Sequence, residues 1–239
     1  MLKKVALRLI SSGWRVPQQE RLERFQELEM LKRLLDSLEI NCVLDVGANR
    51  GQYALELRGI GFSGRIVSFE PVRSEFALLD GSFRNDPNWK GYQVALGSAD
   101  GPASIKVPRL TVLSSLLAPI RDDPEARLEA VEMRPLDSVF RSAIEAVPEP
   151  RVLLKMDTQG YDLEVFKGAE GCLDSICALQ SEISIRPLYK GMPHYLDALK
   201  VYEEVGFELH DLTVVARAGN GCLQELNCFM VRSSRPLGK

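Results

Sequence analysis

Between Gln18 and Leu38 apolar side chains recur at Leu22, Phe25, Leu28, Leu31, Leu34, Leu35 and Leu38, with charges between them. This spacing predicts an amphipathic helix whose stripe packs beside the apolar run Cys42 to Val46, the first strand. Helix and strand signals then alternate: a helix from about Gly51 to Arg58, a strand Arg65 to Glu70, a helix from about Ser74 to Phe83, a strand Tyr92 to Leu96. Such alternation predicts a parallel sheet with right-handed crossovers.

The pattern then breaks. Pro102 to Val107 suits an extra strand, whereas Pro108 to Glu132, with Asp122-Asp123-Pro124-Glu125, reads as an irregular lid or acceptor loop over residues 108–132. Leu136 to Ala146 resumes as helix, Arg151 to Met156 as strand, Tyr161 to Leu173 as helix broken near Gly168 to Gly171, and Ser175 to Ile183 as strand. After a helix from about His194 to Val205, the runs Phe207 to Val215 and Gln224 to Val231 are joined by a glycine-rich loop, too short for a crossover helix. Those two strands are therefore expected to be antiparallel.

At 239 residues the chain is long enough for one α/β domain, residues 41–239, preceded by a helical extension over 1–40. A net charge of -3 gives no general attraction to nucleic acid. Five cysteines without a C-x-x-C pair and two histidines predict neither a zinc site nor a disulfide framework, which makes a reduced, cytoplasmic setting the default. No stretch has the roughly 20 apolar residues of a membrane span. Met1 to Trp14 is basic and amphipathic without a small-residue cleavage site, so it reads as a helix packing on the domain or on a second subunit of a homodimer. Peripheral membrane contact is the sharper alternative.

The chemistry lies at the strand ends. Asp45, Gly47, Ala48, Asn49 and Gly51 follow the first strand, Tyr53 opens the next helix, and Glu70-Pro71 ends the second strand. Glycines at 47 and 51 permit positive φ and close backbone approach to a ligand, and a carboxylate at Glu70 suits two ribose hydroxyls. A dinucleotide cradle needs G-x-G-x-x-G; here the spacing is G-x-x-x-G, with Asp45 where phosphates would be repelled. An acid there suits the ammonium and sulfonium of S-adenosylmethionine (SAM) better than NAD.

The second cluster is Lys155 to Asp162. Lys155 and Asp157 share one face of a strand, and Asp157 is the leading candidate to accept a proton from, or orient, an acceptor; the bland alternative is a Lys155–Asp157 ion pair with Asp157 capping a helix. Glu182, in a very apolar strand, is expected to pair with Lys155 or to bind acceptor hydroxyls. His194 adds a further base candidate, and Ser114-Ser115 a further acceptor contact.

Taken in order, Val43 to Tyr53, Val67 to Pro71, Val94 to Gly97, Leu136 to Ser138, Leu154 to Asp157, Glu164 to Ala169 and Glu182 resemble the FkbM-type SAM-dependent methyltransferases. The resemblance implies a Rossmann-like class I methyltransferase fold, a three-layer α/β sandwich with a mainly parallel seven-stranded sheet, and O-methylation of a hydroxyl on a sugar, glycan or glycosylated natural product. By position it assigns Asp45, Gly47, Asn49 and Gly51 to the methionine part, Glu70 to the ribose, and Ala95 and Leu96 to the adenine edge. The chain has Thr158-Gln159-Gly160-Tyr161-Asp162 where Val-Glu-Gly-Ala-Glu is commoner, so a carboxylate is lost at Gln159. Asp157, Asp162 and Glu182 make only a loose magnesium set. N-methylation of an amino sugar, an NAD-dependent oxidoreductase and a catalytically silent SAM-binding accessory subunit are the alternatives.

Overall fold

In the computed structural model, which describes residues 19–145 and 147–233, the leucine stripe forms helix α1 (Gln19–Ser37). Leu31, Leu34 and Leu35 are buried in one cluster with Val43, Ile66 and Leu153 of the sheet beneath. Strand β1 (Cys42–Val46) is buried along its whole length, as a central parallel strand covered on both faces must be. Helices α2 (Gln52–Gly59) and α3 (Arg73–Phe83) alternate with strands β2 (Arg65–Phe69) and β3 (Trp89–Tyr92). Beyond β4 (Ala95–Leu96), β5 (Gly101–Val107) and β6 (Arg127–Arg134), the alternation resumes with α4 (Leu136–Ala143), β7 (Val152–Met156), α5 (Asp162–Lys167), β8 (Ile176–Ser184) and α6 (Tyr195–Glu204). Strands β9 (Phe207–Arg217) and β10 (Leu223–Arg232) end the described chain.

The seven-stranded sheet has the order β3-β2-β1-β7-β8-β10-β9. Only β10 opposes the common direction, pairing antiparallel with β8 on one side and β9 on the other. Side chains of β1 and β7 alternate between faces: Val43 and Leu153 join the α1–α3 side, while Leu44 and Leu154 face α4, α5 and α6 through Leu136, Phe166 and Tyr202. Two apolar layers on one sheet make the expected three-layer sandwich, and the hairpin is antiparallel as its loop required.

Several boundaries differ from expectation. The single strand expected over Tyr92 to Leu96 is two: β3 stays in the main sheet, and β4 leaves it to pair with Met133 and Arg134 of β6. The stretch read as irregular up to Glu132 ends earlier, because Arg127–Arg134 pairs antiparallel with all of β5. Its half-buried face, Glu129, Val131 and Met133, alternates with exposed Ala130, Glu132 and Arg134, and that period of two was masked by the charges. The helix expected over Tyr161 to Leu173 is α5 followed by a 3-10 turn, Glu170–Ser175. Among the described residues no helix is long and apolar enough to cross a membrane. Met1 to Trp14, with its expected membrane or subunit contact, lies outside the described residues.

Candidate active site

Strand register places a charged row across the middle of the sheet. Asp45 on β1 is opposite Lys155 on β7, which is opposite Gln180 on β8. Lys155 Nζ lies 2.9 Å from Asp45 Oδ1 and 3.7 Å from Asp157 Oδ2, and 5.3 Å from the Tyr53 ring centroid. Tyr53 donates its hydroxyl to Gln180 Oε1 at 2.7 Å, closing the row from above. Burial alone would lower the Lys155 ammonium, but Asp45 and Asp157 outweigh it and raise it above the ordinary lysine range. Lys155 is thus a fixed cation rather than a proton acceptor. Asp45 is fully buried and reaches neither of the two cavities described below, so it acts on the site through Lys155.

Gly47 and Gly51 have the expected positive φ, 76° and 89°, but the close approaches they allow are to protein. A Cβ at Gly47 would stand 2.0 Å from the main-chain oxygen of Asp157, and one at Gly51 would stand 2.6 Å from the Phe83 ring. Gly47 therefore lets the β1 and β7 turns touch, and Gly51 lets α2 start against α3.

From these turns a narrow cleft runs outward, lined by Gly47, Asn49, Glu70, Pro71, Ala95 and Leu96. Glu70 is held at its mouth by the amides of Asn49 and Val72, each donating at 2.8 Å to a different carboxylate oxygen. Each oxygen keeps a second lone pair for a ribose hydroxyl. Burial pushes the Glu70 carboxyl up to about 7 despite those two amides. On the other side of Gly47 lies a cavity of about 430 Å³, lined by Ala48, Tyr53, Lys155, Asp157, Gln180 and Glu182 among others. The cleft, about 50 Å³, must widen to admit an adenosine, but an apolar slot ending at a carboxylate beside an acid-lined chamber has the polarity that suits an adenosine joined to a cationic amino-acid part. It does not match a pyrophosphate.

Asp157 faces both spaces, and its side chain is 40% exposed. Glu182 is buried, and burial followed by the charge of Asp157 pushes its carboxyl well above the usual glutamate range. It does not pair with Lys155. Gln159 donates from one amide nitrogen to Asp157 Oδ1 at 3.2 Å and to Glu182 Oε2 at 2.8 Å, so a neutral amide spans the two acids. A glutamate here, the commoner family residue, would put three carboxyl groups together. Nor does Asp157 cap α5. Asp162 makes the turn instead, accepting from the Thr158 amide and hydroxyl, Ser181 Oγ and the Glu182 amide. Those four donors occupy Asp162, so it is not available to a magnesium ion beside Asp157 and Glu182. Among the described residues there is no group of three His, Cys, Asp or Glu placed to hold a metal.

His194 is not part of the site. It is the N-cap of α6, exposed, with Nδ1 accepting from Leu196 N at 3.4 Å, and it lines neither cavity. The expected lid segment takes a definite form, and two further features were not anticipated. A strap, Thr111–Leu113, crosses the site and is tied by Thr111 Oγ1 to Glu75 Oε2 and by Asn49 Nδ2 to Thr111 Oγ1. Tyr189, buried in an apolar setting, reaches Leu113 O and Gln159 Oε1, both at 3.0 Å, while Ser115 donates to Gln159 O at 2.8 Å. The first turns of α1 roof the chamber with their charged face. Glu27 accepts from Thr213 Oγ1 and Asn227 Nδ2 of the hairpin, and Arg24 reaches Glu56 of α2. Leu22 and Phe25 of the predicted stripe point outward instead. Gln180, a polar residue directly after the apolar run Ile176 to Leu179, was the one readable signal among the residues missed.

A mostly parallel sheet closed by an antiparallel hairpin, with an acid where a phosphate cradle would be, makes this a class I SAM-dependent methyltransferase. The chain belongs to the FkbM methyltransferase family: residues 45–209, more than half of its length, match the sequence model of the Methyltransferase FkbM domain. Its cofactor is SAM. No curated protein matches the chain in sequence. Among solved structures it is similar to magnesium protoporphyrin IX methyltransferase from Synechocystis PCC 6803 with bound SAM. That likeness has a TM-score of 0.50 at 11% identity, over 90% of this chain and 83% of that one. It is also similar to an uncharacterized protein from Listeria monocytogenes serotype 4b, with a TM-score of 0.50 at 9% identity, over 89% of this chain and 70% of that one. At these identities the likeness carries the fold alone.

Proposed function

We propose that the methyl group goes to a hydroxyl of a sugar, glycan or glycosylated natural product, and that Asp157 takes the hydroxyl proton. The observation that carries this reading is the exposure of Asp157: it is the half-exposed carboxylate facing both the adenosine cleft and the chamber, whereas Asp45 and Glu182 are buried. SAM supplies a methyl group on a sulfonium, which leaves as a thioether. As the acceptor oxygen forms its bond to that carbon, its proton passes to an Asp157 oxygen, so charge is conserved between sulfonium and carboxylate. Lys155 fixes Asp157 from behind, the Gln159 amide fixes it from the side, and Glu182, whose carboxyl burial pushes upward, forms a hydrogen-bonding wall for further acceptor hydroxyls. Glu70 is assigned to the ribose, Ala95 and Leu96 to the adenine edge, and residues 108–126 to shaping acceptor entry.

The test is to incubate the protein with methyl-labelled SAM and glycan or lipid-linked sugar extracts and to identify labelled products by mass spectrometry. Asp157→Asn is expected to lower kcat by about 10²–10⁴-fold with SAM affinity within about twofold. Unchanged turnover would remove Asp157 from the mechanism, and label found only on nitrogen would replace the hydroxyl as acceptor.

A further inference from the structure

Across the strap lies a second cavity, about 650 Å³, that the methyl-transfer chemistry above does not use. It is lined by apolar side chains, Leu113, Leu117, Pro119 and Leu188 among them, together with the exposed residues Arg121 and Arg186. Of the other charges there, one is paired and one is a carboxylate that leaves the two arginines in excess. Lys106 pairs with Asp122, and Asp123 accepts from the Glu125 amide at 2.9 Å. Among the described residues neither Arg121 nor Arg186 has a carboxylate partner. Two forked, permanently charged donors beside an apolar wall suit a phosphate or carboxylate attached to an apolar body.

The inner chamber has the opposite sign, with Glu23, Glu27, Glu56 and Asp157 against Arg24 and Lys155. The two spaces are also close. Val112 lines the inner one and the next residue, Leu113, lines the outer one, a step of about 3.8 Å between Cα atoms. Tyr189 lines the outer cavity and bonds to Gln159, which holds both Asp157 and Glu182.

We propose that the outer cavity anchors the acceptor by an anionic group, a phosphate or a carboxylate bound by Arg121 and Arg186, with its apolar portion on Leu113, Leu117 and Leu188. The hydroxyl end then crosses the strap to Asp157, and the acids of the inner chamber exclude the reversed orientation. This rests on the hydroxyl-methylation reading and adds to it that the acceptor is an acidic conjugate rather than a neutral sugar.

The test uses the full chain saturated with S-adenosylhomocysteine (SAH) and calorimetric titration with hexyl phosphate, heptanoate, hexyl glucoside and inorganic phosphate. The phosphate and carboxylate arms distinguish the two anions. At least one of hexyl phosphate and heptanoate is expected to bind about 10-fold or more tightly than hexyl glucoside, and less tightly as salt is added. The double substitution R121Q/R186Q is expected to weaken that probe by about 10-fold or more with SAH affinity unchanged, which also reports that the variant is folded. Equal binding of hexyl glucoside, or an R121Q/R186Q variant that binds the anion as the parent does, would overturn the proposal. Inorganic phosphate binding as tightly as hexyl phosphate would overturn its apolar half. SAH titration of the same samples separates the two readings: loss of SAH binding would count against methyl transfer, and SAH binding without anion discrimination counts against the anchor alone.

Discussion

The inner chamber and the outer cavity share a strap one residue thick, yet they are built from opposite materials. The inner one is made at strand ends, where register sets Asp45 against Lys155 and Lys155 against Gln180, so the ion pair at its base is buried. The outer one is made of loops, and its arginines are exposed and without carboxylate partners. The contrast teaches where precision is needed. On the proposed roles, the constant donor SAM meets the strand-built side and the acceptor meets the loops.

The largest expected effect that sharpens this contrast comes from Lys155→Met. It leaves Asp45 buried without its cation and is expected to cost about 3–5 kcal/mol of stability in urea unfolding. Adding Asp45→Asn to it is expected to recover much of that loss, since removing both charges leaves no buried ion unpaired. A K155M variant as stable as the parent would show that the row is not an interlocked unit.

A smaller effect belongs to Glu70. Its carboxyl titrates near 7 in the folded protein and near 4.5 when unfolded, so its contribution to stability declines as pH rises from about 4.5 to 7. With the proposed ribose role for Glu70, binding needs the charged form, so SAM affinity is expected to rise about 10-fold between pH 6 and pH 8 and then level off. Glu70→Gln should flatten that profile, and a flat profile in the parent would contradict the ribose assignment. The smallest effect is the expected change in unfolding free energy for R121Q/R186Q, within about ±0.5 kcal/mol. A larger loss would mean that the outer arginines hold the fold.

The same contrast explains what the sequence revealed. Asp45, Glu70, Lys155 and Asp157 were legible because each sits in or just after an apolar run, and parallel strands bring their carboxyl ends together. Asp45 was located correctly but misassigned, since only the register shows that it is covered by Lys155. The lid was legible as a segment, but the ties that hold Thr111–Leu113, the Gln159 hub and the Tyr189 tether depend on pairings between loops distant in the chain, which no local period encodes. His194 was overread because a histidine at a helix start also serves as a cap, and its ring accepts the Leu196 amide. The roof of α1 was hidden for a related reason: its leucines announce a core contact, while its function lies on the charged face.

The contact at Gly47 carries a further meaning in terms of heredity. Any side chain there would collide with the main-chain oxygen of Asp157 at 2.0 Å, so a single codon change just after β1 displaces the backbone of the proposed base just after β7. On the proposed roles, lineages descending from such a chain can exchange what they methylate by small steps at the exposed rim, while the turn beside the donor stays fixed by two backbones in contact.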